Sequence, residues 1–342
     1  MIEIVWFCLV AIMIAGYVVL DGFDLGAGII HLFVARTEQE RQQVLRSIGP
    51  VWDGNEVWLI AGGGTLYFAF PGLYAAAFSG FYLALMMVLW LLILRGISIE
   101  LRSHIESPIW KPFWDLIFGG ASALLALLYG AALGNVVRGV PLDSDGFFFI
   151  PLWTNLQPGQ DVGIVDWYTL LIGAAAFTAL ALHGSYWVVL KTNGDLQQRS
   201  REFASRLWWA VVAFTAIITA ITFRLQPNVA KEFSEHVWGY VFPLLALAGL
   251  AGMRVWSERA SDLGAFLSSC LYLIGMLTSA AFGVFPYVLP SNSSPEAGLT
   301  VTNAAAAEYG LYIGLAWWIP GMALATLYSV FVYRRFAGKV AG

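Results

Sequence analysis

Nine runs of about twenty predominantly apolar residues recur along this 342-residue chain, a pattern that a bundle of membrane-spanning helices accommodates and a water-soluble core does not. A hydrocarbon layer of about 30 Å takes about 20 residues of helix. Residues roughly 4–30, 51–70, 74–94, 113–136, 164–190, 206–223, 238–255, 264–286 and 309–333 satisfy that ruler. Composition agrees, with 59% of residues hydrophobic and only 12% charged, where soluble domains carry about 25% charge. A soluble enzyme, a disordered protein and a nucleic-acid binder are thereby excluded. The expected fold is an all-α integral membrane protein of nine transmembrane helices, forming a single transmembrane domain over residues 1–342. Helices one to four occupy about 4–136 and helices five to nine about 164–333. The first eight are expected to form two four-helix bundles, with the ninth peripheral. Only Pro71-Gly72-Leu73 separates the second and third runs, which predicts an antiparallel helical hairpin there.

Basic residues set the expected orientation, because cytoplasmic loops are enriched in them. With the N-terminus outside and the C-terminus inside, 15 of the 18 Lys and Arg residues fall in inside segments, Arg95 among them. Arg138, Arg224 and Lys231 alone fall outside. Glu3, with no Lys or Arg before the first apolar run, is the wrong flank for a cleaved signal peptide, so the first span is expected to remain. The longest polar stretches, 137–163 and 287–308, lie outside, and loops of that length usually cover something or meet a partner. Many tryptophans fall at span ends (Trp6, Trp110, Trp114, Trp167, Trp238, Trp256), as interfacial anchors do.

Ionisable side chains inside a bilayer cost at least about 2.5–3.5 kcal/mol on insertion scales, so each needs a reason. In the first helix Asp21, Asp24, Gly28 and His31 share one stripe, while Gly22 and Gly26 form a separate groove that a second helix can approach. Asp53 and Glu56 begin the second span, Asp115 begins the fourth, and His183 lies near the inner end of the fifth. These groups share the cytoplasmic third, where they could form the mouth of a proton-uptake route. A second reading is local: Asp53-x-x-Glu56 has the spacing of an N-cap with its reciprocal carboxylate, and Asp115 follows Pro112 in a similar position. Asp21 and Asp24 sit toward a helix C-terminus, where capping does not explain them. Gly62-Gly63-Gly64 lacks the strand and lysine of a phosphate loop, and close packing against a helix or another subunit is its expected use.

Four histidines bear on haem. Only His31 and His183, both near the inner surface, come close to the matching depth within helices that a bis-histidine haem needs, and that is the less favoured use; no metal site on this chain is expected. Cys8 and Cys270 lie in apolar runs without a paired spacing, so neither a disulfide framework nor a cysteine metal site is expected. On the residues alone, a proton-coupled secondary transporter is a second reading, although the acids crowd one surface instead of the midplane where such proteins bind substrate.

Two segments narrow the choice. Leu20-Asp21-Gly22-Phe23-Asp24-Leu25-Gly26 and Gly49-Pro50-Val51-Trp52-Asp53-Gly54-Asn55-Glu56-Val57-Trp58-Leu59 resemble diagnostic segments of subunit II of cytochrome bd-type quinol oxidases. Leu182-His183-Gly184 with Lys191-Thr192, Phe285-Pro286 through Pro290-Ser291, Leu299-Thr300-Val301-Thr302-Asn303-Ala304-Ala305 and the terminal Phe336-Ala337-Gly338-Lys339-Val340 extend the resemblance along the whole chain in order. It implies a bacterial inner-membrane complex that oxidises quinol and reduces dioxygen to water, taking chemical protons from the cytoplasm without pumping. It also implies two b-type haems and one d-type haem ligated by an obligate partner, the architecturally homologous subunit I, with membrane lipid and small accessory subunits as further partners. By the same resemblance Asp53 matches the acid that lines the proton path, Asp21 and Asp24 match polar positions of the first helix, and Glu56 stands where some relatives carry an amide.

Overall fold

The computed structural model describes residues 1–159 and 161–340, and is almost entirely helical. The helices are α1 (Ile2–Val34), α2 (Glu38–Ile48), α3 (Trp52–Ala69), α4 (Pro71–Gly80), α5 (Tyr82–Leu101), α6 (Trp110–Arg138), α7 (Trp167–Lys191), α8 (Gly194–Leu225), α9 (Pro227–Glu235), α10 (Val241–Glu258), α11 (Asp262–Val284) and α12 (Glu308–Arg335). Among the described residues eight helices are individually long and apolar enough to span a bilayer, and α3 with α4 qualifies as a bent pair, giving up to nine.

The hairpin expected at Pro71-Gly72-Leu73 is replaced by a longer connection. Pro71 takes the first position of α4, where its missing N–H is no loss, and α4 turns away from α3 by 120°. The third span therefore begins at Tyr82 and ends at Leu101, about two turns later than the apolar ruler placed it. The shift carries Arg95 out of a loop and into the buried interior of α5, so it no longer counts toward the inside charge. The bias of the remaining basic residues survives its removal.

α1 is the hub, 33 residues and so about 50 Å long, packed against α3, α6, α7 and α11. α5 lies on α6, α7 on α6 and α8, and α10 on α11, while α12 touches the rest lightly and buries only Leu311. Small residues make the tight crossings. A Cβ on Gly26 would fall on the carbonyl oxygen of Leu180 and lie 2.6 Å from Gly184 N, so α1 and α7 meet backbone to backbone. Gly22 faces the same helix, with Leu180 Cδ2 2.9 Å from where its Cβ would be. The Gly22/Gly26 groove thus receives α7, whereas Gly63 and Gly64 face open space within this chain.

Opposite the acid-bearing end, the two long polar stretches fold against each other. Val140 N donates to Pro290 O (3.0 Å) and Asn292 N to Val140 O (3.0 Å), and β1 (Tyr287–Leu289) pairs with β2 (Leu299–Thr300) in the one sheet among the described residues, two-stranded and antiparallel. Their apolar residues join Trp6 and Phe70 in a second core. Trp6 is consequently 1% exposed, its indole N–H donating to Leu311 O, and is a packing residue and not the interfacial anchor expected. Trp167, Trp238 and Trp256 are exposed.

Candidate functional site

Antiparallel packing brings the C-terminal half of α1, the start of α3, the end of α5, the start of α6 and the end of α12 to one end of the bundle. The stripe on α1 faces these helices. Asp21 is fully buried and paired with Arg95 of α5 through both terminal guanidinium nitrogens, Nη1 donating to Oδ2 at 2.8 Å and Nη2 to Oδ1. This fork geometry is the strong form of an ion pair, and it supplies the compensation that a buried carboxylate requires. Asp24, one turn on, has no such cation. Its Oδ2 accepts from Asn55 Nδ2 (2.7 Å), Asn55 Oδ1 accepts from the hydroxyl of Tyr333 (2.7 Å), and Oδ1 has no hydrogen-bond partner among the described residues.

Asp53 and Glu56 lead toward this pair. Asp53 is exposed, Glu56 is half-buried one turn deeper, and Glu56 is close enough to Asp53, Asp21 and Arg95 for their charges to interact. Neither acid caps α3. The chain turns at Gly49 and Pro50, with Val51 N bonded to Ile48 O, so Val51 is the N-cap residue and Trp52 the first helical one. Asp53 thus sits two positions past the cap, and no side-chain cap hydrogen bond is made.

Asp115 is not a cap either. α6 begins at Trp110, which puts Asp115 in the second turn, beyond the free N–H groups. It anchors a separate ionic network: Arg102 Nε donates to Oδ1 (2.6 Å), Arg41 Nη1 to Oδ2 (3.1 Å), and His31 Nε2 lies 3.5 Å from Oδ1. Arg102 also forks onto Glu38 of α2 at 3.0 and 2.9 Å, and these hydrogen bonds hold the Glu38 carboxyl below the usual range. This contact therefore contributes fully above the ordinary carboxylate value and is lost as pH falls through the lowered one.

His183 belongs to neither network. Its Nε2 donates to Val19 O (2.9 Å), Nδ1 meets Ser269 Oγ (2.7 Å), and the ring stacks on Phe266, so it ties α7 to α1 and α11. His31 Nδ1 meets Gly28 O (2.8 Å). The two rings face different partners, and both nitrogens of His183 are engaged. The six groups expected in one cluster are thus divided, with Asp21, Asp24, Asp53 and Glu56 together and Asp115 and His183 apart.

Several residues escaped the sequence reading. Arg95 was hidden by its place near the end of an apolar run, and Asn55 and Tyr333 carry no charge to mark them. Arg138, taken as an outside loop residue, is buried and pairs with Asp166 at the far end of the bundle. Asp166 caps α7 reciprocally with Thr169, a pattern legible as Asp-x-x-Thr before an apolar run.

Residues 2–336 match the family described as cytochrome bd terminal oxidase subunit II. The probable cytochrome oxidase subunit 2 of Haemophilus influenzae is 30% identical, over 99% of this chain and 95% of that protein. The cytochrome bd-I ubiquinol oxidase subunit 2 of Escherichia coli is 28% identical over the same shares, and the cytochrome bd ubiquinol oxidase subunit 2 of Bacillus subtilis is 29% identical over 96% and 95%. A chain in the structure of bd oxidase from Geobacillus thermodenitrificans superposes with a TM-score of 0.77, covering 98% of each at 16% identity, a likeness of fold. With one family profile and relatives from end to end pointing the same way, the chain belongs to the cytochrome bd terminal oxidase subunit II family.

Proposed function

We propose that this chain acts as one transmembrane unit, the subunit of a quinol:dioxygen oxidoreductase that ligates no haem itself, and that it contributes to proton uptake from the cytoplasm. It would pair obligately with a haem-bearing subunit I in the bacterial inner membrane. The b-type and d-type haems held by that partner supply electron transfer and dioxygen reduction. Family membership supports this reading over the proton-coupled transporter, since the relatives are oxidase subunits along their whole length.

The observation that carries the proton-uptake reading is a gradient of burial along one line of acids. Asp53 is exposed, Glu56 half-buried, and Asp24 and Asp21 fully buried. Asp53 lies at the surface of this chain, where it would take up protons; Glu56 stands one turn inward; Asp24 presents a carboxylate oxygen without a hydrogen-bond partner among the described residues. Carboxyl groups so spaced can pass protons through intervening water.

Asp53→Asn is the direct test, because the absence of a cap contact leaves little helix stability to lose. Asn is isosteric but cannot titrate, so oxygen consumption at saturating quinol is expected to fall roughly tenfold or more at near-normal haem content. Asp53→Glu, which keeps a titrating group, should retain more turnover. Wild-type turnover in Asp53→Asn would remove Asp53 from the path. Orientation is checked separately: with the N-terminus outside and the C-terminus inside, a reporter after Lys339 should be cytoplasmic and one between Ser291 and Ser294 periplasmic. Both on one side would refute the nine-span topology.

A further inference from the structure

α12 is the least packed span, yet it sends one side chain into the polar centre. Tyr333 closes a chain of hydrogen bonds in which its hydroxyl donates to Asn55 Oδ1 and Asn55 Nδ2 donates to Asp24 Oδ2, both at 2.7 Å. Its ring lies edge-on to Phe23 and Trp187. The chain just beyond is clasped to the end of α7: Lys191 Nζ donates to Phe336 O (2.6 Å), Lys339 Nζ to Thr192 O (2.8 Å) and Val340 N to Lys191 O (2.8 Å). A peripheral helix is thus fixed firmly at the turn that holds this hydroxyl.

An asparagine amide between a carboxyl group and a phenol has two hydrogen-bonding registers. With Asp24 ionised, the carboxylate can only accept, so the NH2 of Asn55 must face it and the carbonyl oxygen faces Tyr333. With Asp24 protonated, the amide can turn over, accepting from the carboxylic acid and donating to the phenol oxygen. The arrangement in the structure is the first of these. We propose that Tyr333 is a positioning residue, whose hydroxyl holds the Asn55 amide in the register that donates to Asp24 and so favours the ionised carboxylate. The other ionisable groups around Asp24 are Asp21 on α1, Glu56 on α3 and Arg95 on α5, with His183 of α7 and Cys270 of α11 farther out and the hydrogen-bonded pair Tyr17 of α1 and Tyr129 of α6 beside Asp21. None of them hydrogen-bonds Asn55, and a phenol donates more strongly than it accepts, so Tyr333 biases the amide toward the register that presents its carbonyl oxygen to the hydroxyl and its NH2 to Asp24.

The inference deepens the proton-uptake reading and rests on it only for its effect on turnover. Tyr333→Phe keeps the ring and removes the hydroxyl. In the purified complex, infrared difference spectra recorded against pH follow the carbonyl band of a protonated carboxylic acid, and Asp24 is identified by loss of its band in Asp24→Asn and in the Tyr333→Phe/Asp24→Asn double variant. Tyr333→Phe should shift the titration of that band alkaline by about 0.5–1 pH unit, the size of one hydrogen bond. It should also lower kcat by roughly 3- to 10-fold with KM for quinol and haem content unchanged. An unshifted titration, or no band attributable to Asp24 in either background, overturns the inference whatever the turnover. A shifted titration with wild-type kcat upholds the positioning role and counts against Asp24 in proton uptake. Reduced yield with normal turnover per haem and an unshifted band would make Tyr333 a packing residue and overturn the inference as well.

Discussion

Removing the carboxylate of Asp21 should damage the protein more than removing the guanidinium that pairs with it. Both side chains are fully buried, and breaking such a pair from one side costs about 3–5 kcal/mol because an uncompensated charge remains. The two halves differ in how they escape that cost. After Arg95→Leu, an orphaned carboxyl group can take up a proton and become neutral. After Asp21→Leu, the guanidinium stays charged, since arginine does not lose its proton in proteins. Asp24 and Glu56 lie within Coulombic range of Arg95, but neither hydrogen-bonds it. Assembled complex per milligram of membrane protein, and the midpoint temperature for loss of the haem bands, should therefore rank wild type, then Arg95→Leu, then Asp21→Leu. The double variant, with no orphaned charge, should recover much of the yield lost by Asp21→Leu. If Arg95→Leu is the worse of the two singles, the arginine has a partner more important than Asp21, and the pair is not what stabilises this end of the bundle.

That pair also shows which parts of the site were legible in the sequence. Asp21 and Asp24 stood out because an acid in the C-terminal half of an apolar helix has no local use. Arg95 did not, because six residues of α5 follow it and the apolar ruler ended the span before it. The partners lie 74 residues apart, and no periodicity connects them. The Gly22/Gly26 groove was readable as small residues four apart, while its occupant, Gly184, was readable only as part of a family motif. Capping failed at Asp53 for a local reason: Pro50 and the turn before it start the helix at Trp52, and a shift of two residues turns a cap into an exposed side chain. The bend at α4 was hidden because 74–94 is apolar throughout, and only the break after Gly80 reveals that it belongs to two helices. Pairings and kinks depend on what lies across the helix, which hydropathy does not record.

The α1–α7 crossing yields the other large expected effect, from a single methyl group. At Gly26 an added Cβ would fall on the Leu180 carbonyl oxygen and within 2.6 and 2.7 Å of the Gly184 backbone, positions no real Cβ occupies. Side chains can rotate away from an intruder, but a carbonyl and an amide fixed in a helix cannot. Relief requires the two helices to part, which undoes the packing that surrounds them, including the His183 contact to Val19. Overpacking a core typically costs about 1–3 kcal/mol, and backbone against backbone belongs at or above the upper end of that range. Gly26→Ala should consequently lose most of the assembled complex, and Gly184→Ala should do the same from the other side of the contact. Gly22→Ala, one turn earlier on the same face, crowds the Leu180 Cδ2 methyl at 2.9 Å, which can move, and meets His183 Cδ2 at an ordinary 3.7 Å, so it should be mild. Gly120→Ala, which meets nothing within 4 Å in this chain, serves as the control for helix propensity. The graded series is read as complex yield and haem-band midpoint temperature in otherwise identical membranes. Equal behaviour of Gly26→Ala and Gly22→Ala would mean that α1 and α7 do not meet at Gly26 and Gly184 in the working complex.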